Sequence, residues 1–289
     1  MAMDDAQLIA VWLHGRPAAT RKIYGQQARR LQASLGKPLA EASLEDLQRH
    51  ADGLAHLAPR SQCLALSAIK SLYAFHCRVG TLKLNPSAAL TLPRVANDLT
   101  ERILTEDDVA RLLGVPVPAR ERAMLHLLYV AGLRAAEICG LYWRSLKPRE
   151  KGEGQVTVTG KGGKTRAILL PASMWAELAA LRGQARPTDP VFPSVSDPTK
   201  PYSQRTLLRI VKRAAKAVDL TDKVSMHWLR HSHASHALDH GAPITLVRDT
   251  LGHASIATTD RYAHAKPNDG SARFLGEMHV PGGMHDAAD

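Results

Sequence analysis

One stretch of period-two patterning, QVTVTGKGGKTRAILL at residues 155–170, interrupts a chain whose other patterned segments repeat their apolar residues at helical spacing. Alternation on both sides of a Gly-rich turn predicts an antiparallel hairpin, with Lys161 and Lys164 close to its tip. The sheet of this fold is therefore small, and helices must supply the rest. Before the hairpin, helical patterns cover residues 4–14, 18–35, 43–56 and 59–79. The third opens on a capping box in SLED, and the last carries Leu66, Ile69, Leu72 and Tyr73 on one face. The segment NPSAALTLPRVANDLTE, residues 85–101, then breaks the pattern between Pro86 and Pro93 and reads as an interdomain linker. Beyond it, LTEDDVARLL starts a helix capped by Thr105, and RERAMLHLLYVAG adds a second apolar stripe. Helical patterns resume after the hairpin at 173–182, 203–218, 226–239 and 243–251. The expected class is mainly α: an all-α domain over 1–95, a linker over 96–101, and a mostly α domain with a small antiparallel β-sheet over 102–289.

The two cores implied by 289 residues are joined by an excess of positive charge, +11 overall. Residues 1–98 hold 12 Lys and Arg against 7 Asp and Glu, or +5, leaving +6 for the remainder. Both parts are basic, so a polyanion is expected to touch both, and nucleic acid is favoured over a membrane surface. No run of eighteen apolar residues occurs, and the opening MAMDDAQLIAVWLHG carries acids where a signal peptide has basic residues, so a cytoplasmic location is expected. Cys63, Cys77 and Cys139 are odd in number and lack C-x-x-C spacing, which points to reduced thiols rather than a disulfide framework or a cysteine zinc site.

Several polar residues interrupt the apolar patterns: Arg134 in AGLRAAEICGL, Lys161 at the hairpin, His227 and Arg230 in HWLRH, His253 in LGH, and Tyr262 in DRYAH. In this order and at these spacings the chain resembles the tyrosine recombinase family, the phage-integrase-like enzymes. The phrases GLRAAEICGL, LRHSHASHAL and LGHASIATTDRYAH carry the resemblance, and the all-α first part is similar to that family's core-binding domain. The resemblance implies a site-specific recombinase that cleaves and rejoins DNA through a 3′-phosphotyrosine, with no metal or high-energy cofactor. Tyr262 would be the nucleophile, because a phenol oxygen that stays on the phosphate conserves the bond energy. Arg134 and Arg230 would clamp the nonbridging oxygens, Lys161 would protonate the leaving 5′ oxygen, His227 would take or relay the phenol proton, and His253 would bond a nonbridging oxygen. Lys164 remains an alternative to Lys161.

Each residue also has a plainer reading. Arg134 can be a surface ion pair with Glu137, Lys161 an exposed turn lysine, His227 a satisfied core histidine, Arg230 a solvated helix residue, His253 a partner of the helix dipole and Tyr262 a core filler. The run His227, His231, His233, His236 and His240 puts pairs on one helix face, but no carboxylate or cysteine completes a tetrahedral set and no H-E-x-x-H occurs, so a metal site is not expected. His231 and His236 are expected to pack beneath the site. The rival functions are a type IB topoisomerase-like activity, a catalytically silent DNA-binding regulator and a metal-dependent nuclease.

The resemblance further implies a clamp around double-stranded DNA at a short inverted-repeat site, and a homotetramer on two such sites, alone or with a partner recombinase. Residues 268–289, with ARFLGEM as their apolar piece, are the expected segment exchanged between protomers. The chain's length suits the simpler Xer-like or transposon-type members, without an additional arm-binding domain.

Overall fold

Local capping sets the first helices. Asp4 accepts the backbone N–H of Gln7 at 2.7 Å, and the Gln7 side chain answers at the Asp4 N–H, which starts α1 (Asp5–Leu13). Helix α2 (Ala18–Leu35) ends where Gly36 takes a left-handed conformation. Ser43 and Asp46 form the reciprocal box that opens α3 (Leu44–Asp52), and α4 (Pro59–Arg78) begins with proline in its first turn, where no N–H partner is lost. These ranges come from a computed structural model that describes residues 4–95, 99–160, 163–253 and 255–263. Its internal contacts divide the chain into two units, residues 1–97 and 98–289.

The first unit closes over Leu8, Trp12, Leu31, Leu47, Leu66, Ile69, Leu72 and Tyr73. Tyr73 is wholly buried and donates its hydroxyl to the Leu39 carbonyl at 3.1 Å, which satisfies its polar end. The proline-containing segment that follows α4 is tied to this unit. Lys70 Nζ donates to the carbonyls of Ser87, Ala88 and Leu90 at 2.8, 3.0 and 2.7 Å, and Leu90 enters the core. Polar side chain to backbone bonds therefore hold what periodicity reads only as a break.

In the second unit, Thr105 accepts the Asp108 N–H at 3.1 Å and starts α5 (Glu106–Leu113), followed by α6 (Ala119–Val130) and the short α7 (Ala135–Cys139). The strands β1 (Leu146–Pro148), β2 (Gly154–Thr159) and β3 (Thr165–Leu170) form one antiparallel sheet in that order, with Val156 opposite Ile168 and Val158 opposite Arg166. Helices α8 (Ala172–Arg182), α9 (Gln204–Ala217), α10 (Met226–Asp239), α11 (Ile244–Leu251) and α12 (Ile256–Ala263) complete it. The core gathers Leu112, Met124, Leu127, Ile138, Val156, Phe192, Leu207 and Leu229 from helices, sheet and loop alike. The mainly α class with a small antiparallel sheet holds. The sheet gains β1, too short to alternate, and residues 256–263, beyond the last helical pattern read from sequence, are helical. Helix α12 buries Thr259 and packs Tyr262 into a cluster with Leu99, Ala234, Val247 and Leu251, and tertiary burial outweighs the weak helix preference of its threonines. Among the described residues no helix is long and apolar enough to cross a membrane.

Candidate active site

The site begins where α6 stops. Gly132 sits at φ +56°, and a Cβ there would lie 2.7 Å from the His233 ring and 2.9 Å from Leu251, so glycine is required on both counts. The turn delivers Arg134 to the start of α7, where its backbone N–H donates to Glu137 Oε2 at 2.9 Å and its guanidinium to Glu137 Oε1 at 3.0 Å. The ion pair anticipated as a plain reading of Arg134 thus exists. It does not exhaust the residue, because the other Nη donates to the Gly252 carbonyl at 3.0 Å and the side chain lines an open cleft of about 630 Å³. Lys164, Arg166, Asp249, Gly252 and His253 share that cleft.

Two further guanidiniums meet the same helix end. Arg230, on α10 and only 4% exposed, donates to the carbonyls of Gly132 and Leu251. Arg166, on β3, forks onto both oxygens of Glu137 at 2.8 Å each and donates through Nε to the Thr250 carbonyl at 2.7 Å. The consecutive carbonyls of Thr250, Leu251 and Gly252 at the C-terminus of α11 are thus each taken by a different arginine. Cations at that end complement the helix dipole as well as its unpaired acceptors. His253 follows directly, past Gly252 in the left-handed conformation, and bonds Thr259 Oγ1 through Nδ1 at 2.9 Å.

Helix α12 carries Thr259 and Tyr262 three residues apart, hence on one face. Tyr262 is 4% exposed, and its hydroxyl meets His231 Nδ1 at 2.6 Å. The Tyr262 ring neighbours those of His231 and His253, with centroids 5.6 and 6.3 Å away. His227 is one step further out, exposed, with its ring 6.3 Å from that of His231. The imidazole on the phenol is therefore that of His231, a residue the sequence places only beneath the site. His236 does pack inward, bonded to the Tyr129 hydroxyl at 2.9 Å.

Of the three guanidiniums, two bond Glu137 and Arg230 bonds only carbonyls, which leaves the site rich in positive charge. Burial first, then the neighbouring Arg134, pushes Arg230 down to about 9. Burial and the surrounding arginines hold His253 at about 4, while burial, His227 and Arg230 do the same for His231; His227, although at the surface, is lowered as well, by the protein crowded around its ring and by Arg230 and Arg134. Glu137 is held below its usual range by Arg166 and Arg134 despite the burial that opposes ionisation. An anion entering the cleft would offset the mutual repulsion of Arg230, Arg134 and the histidines. The depressed histidines also have a stability consequence. His231, His233 and His253 hold fewer protons folded, near 4, than unfolded, near 6.5. Their contribution is complete above pH 6.5 and is lost as pH falls toward 4. The melting temperature should drop steadily across that interval, and a flat profile would contradict the burial of these rings.

Of the residues expected from sequence, the structure brings together Arg134, Arg230, His253 and Tyr262, with His227 at the edge. Lys161 lies outside the described residues, as does the segment 268–289. Sequence reasoning passed over Arg166 and Thr259, read Glu137 only as a surface ion-pair partner of Arg134, and placed His231 beneath the site. A signal existed for Arg166, which shares the inward phase of β3 with Ile168 and Leu170, and an arginine there requires a buried partner. Among the described residues no group of three or more His, Cys, Asp or Glu is placed to hold a metal ion.

The architecture is shared with a solved λ integrase tetramer bound to a Holliday junction, at a TM-score of 0.72 and 19% identity, covering 90% of this chain and 77% of that one. This is the tyrosine recombinase fold. Residues 101–269 match the phage integrase family. The chain is 39% identical over 217 residues to the tyrosine recombinase XerC of Xanthomonas campestris pv. campestris strain B100, covering 72% of this chain and 65% of that protein, just under two thirds of its length. It is 34% identical over 282 residues to the tyrosine recombinase XerD of Pseudomonas aeruginosa, covering 90% of this chain and 91% of that protein. The chain belongs to the phage integrase family.

Proposed function

We propose that the protein is a site-specific DNA recombinase that breaks and rejoins strands through a 3′-phosphotyrosine at Tyr262, without a metal or a high-energy cofactor. The observation that carries this reading is the Tyr262–His231 pair at 2.6 Å, next to a cleft where Arg134, Arg166 and His253 meet. The phenol oxygen attacks the scissile phosphorus and gives its proton to the neutral imidazole of His231, with His227 next in line toward solvent. Charge growing on the nonbridging oxygens is met by Arg134 and Arg230 and by a hydrogen bond from His253. The P–O5′ bond breaks as Lys161, or Lys164 in its place, protonates the leaving oxygen. A second DNA 5′ hydroxyl then reverses these steps, so no bond energy passes to water.

The names of XerC and XerD support strand exchange over simple relaxation, and the λ integrase tetramer on a junction supports four protomers acting on two duplexes. In this reading residues 1–95 form the core-binding domain and residues 102–289 the catalytic one. The target is an inverted-repeat site in cytoplasmic DNA, used alone or with a partner recombinase. The test is a nicked suicide duplex, which loses the attacking 5′ hydroxyl once cut, incubated with the protein in EDTA and run on a denaturing gel. A protein–DNA band is expected. Cleavage that requires added zinc or magnesium and releases free ends would transfer the function to the nuclease reading.

A further inference from the structure

The chemistry above does not require Arg166, yet it is the most enclosed of the cations bonded to Glu137: its side chain is 12% exposed against 34% for Arg134. Both bonded partners of the Arg134 guanidinium are also touched by Arg166. One is Glu137, which receives the Arg166 fork at 2.8 Å on each oxygen. The other is Gly252, where an added Cβ would come within 2.9 Å of Arg166 Nη1 and 3.1 Å of its Cζ, while the preceding Thr250 carbonyl accepts Arg166 Nε at 2.7 Å. Glu137 itself is nearly closed to water, with 5% of its side chain exposed, so its charge must be met by protein groups.

We propose that Arg166 is a positioning residue that neutralises Glu137 and so leaves the charge of Arg134 for the scissile phosphate. A bidentate guanidinium–carboxylate pair is the strongest neutral unit two side chains can form, and here it is built behind Arg134. Without Arg166 the buried carboxylate takes Arg134 as its counter-ion, and the phosphate clamp loses a charge although the residue remains in place. The same arginine fixes the end of α11, from which His253 projects, relative to β3 at the base of the hairpin. The proposal rests on the recombinase reading, and it adds a charge balance within that site.

The sign of an interaction between two substitutions separates this role from a purely structural one. Cleavage of the suicide duplex is followed at saturating protein, with DNA affinity and melting temperature measured in parallel. Arg166→Met should slow adduct formation by about 10²-fold, the loss expected when one group stabilising transition-state charge is withdrawn, with affinity unchanged. Adding Glu137→Gln removes the carboxylate that captures Arg134, so the double variant should be faster than Arg166→Met alone. A double variant as slow as the single or slower overturns the proposal, as does an Arg166→Met protein that cleaves at the wild-type rate. Should Arg166→Met fail to fold, Arg166→Lys decides: it keeps the charge opposite Glu137 and should stay within about tenfold of wild type, whereas a folded Lys variant slowed a hundredfold overturns the proposal. A wild type that forms no adduct overturns the recombinase reading and this proposal with it. A wild type that forms it, beside variants that fail these tests, overturns only the role of Arg166.

Discussion

Replacing Lys161 with alanine should slow cleavage of an ordinary phosphodiester by about 10²-fold or more, and should have far less effect when the 5′ leaving atom is sulfur. The difference follows from the leaving group. An alkoxide is a strong base and needs a proton as the P–O bond breaks, whereas a thiolate departs without one. The turn between β2 and β3 offers two candidates. Lys164 lines the cleft with Arg134 and His253, and Lys161 is the one assigned the role by the sequence resemblance. The paired substrates assign the role: rescue by sulfur in Lys161→Ala alone supports Lys161, and rescue in Lys164→Ala alone reverses the assignment. Equal slowing on both substrates in both variants would remove general acid catalysis from the hairpin.

Elements whose burial follows a simple period were legible in the sequence. Helix α4 sets Leu66, Ile69, Leu72 and Tyr73 on one face, and all four are buried. Strands β2 and β3 alternate as expected about the Gly-rich turn. Elements held by something other than their own periodicity were not legible. Helix α7 has five residues, β1 has three, and α12 owes its form to what Thr259 and Tyr262 are packed against. The same distinction runs through the site. Arg134, Arg230, His253 and Tyr262 could be picked out because each is polar where its segment's pattern calls for an apolar group. Which imidazole meets the phenol could not, since His227 and His231 lie on the same face of α10 and only the approach of α12 chooses between them. The convergence of three arginines on Thr250, Leu251 and Gly252 joins β3, α7 and α10, which are distant in sequence, so it belongs to the tertiary fold alone.

Tyr262→Phe should abolish covalent attachment to DNA while leaving fold and affinity nearly intact. The substitution removes one oxygen. The ring that fills the cluster of Leu99, Ala234, Val247 and Leu251 stays, and the structural loss includes the bond to His231 Nδ1, about 1 kcal/mol for a typical hydrogen bond. The chemical loss is complete, because phenylalanine has no atom that can bond to phosphorus. Cleavage by an activated water would survive the change and cleavage by this phenol would not. The deciding measurement is a nicked suicide duplex labelled on the strand that carries the scissile 3′ phosphate, incubated in parallel with wild type and Tyr262→Phe and resolved on a denaturing gel. The account predicts a labelled protein–DNA band for wild type and none for the variant, although both shift the duplex equally on a native gel. A labelled covalent band from Tyr262→Phe would place the nucleophile elsewhere and contradict the account.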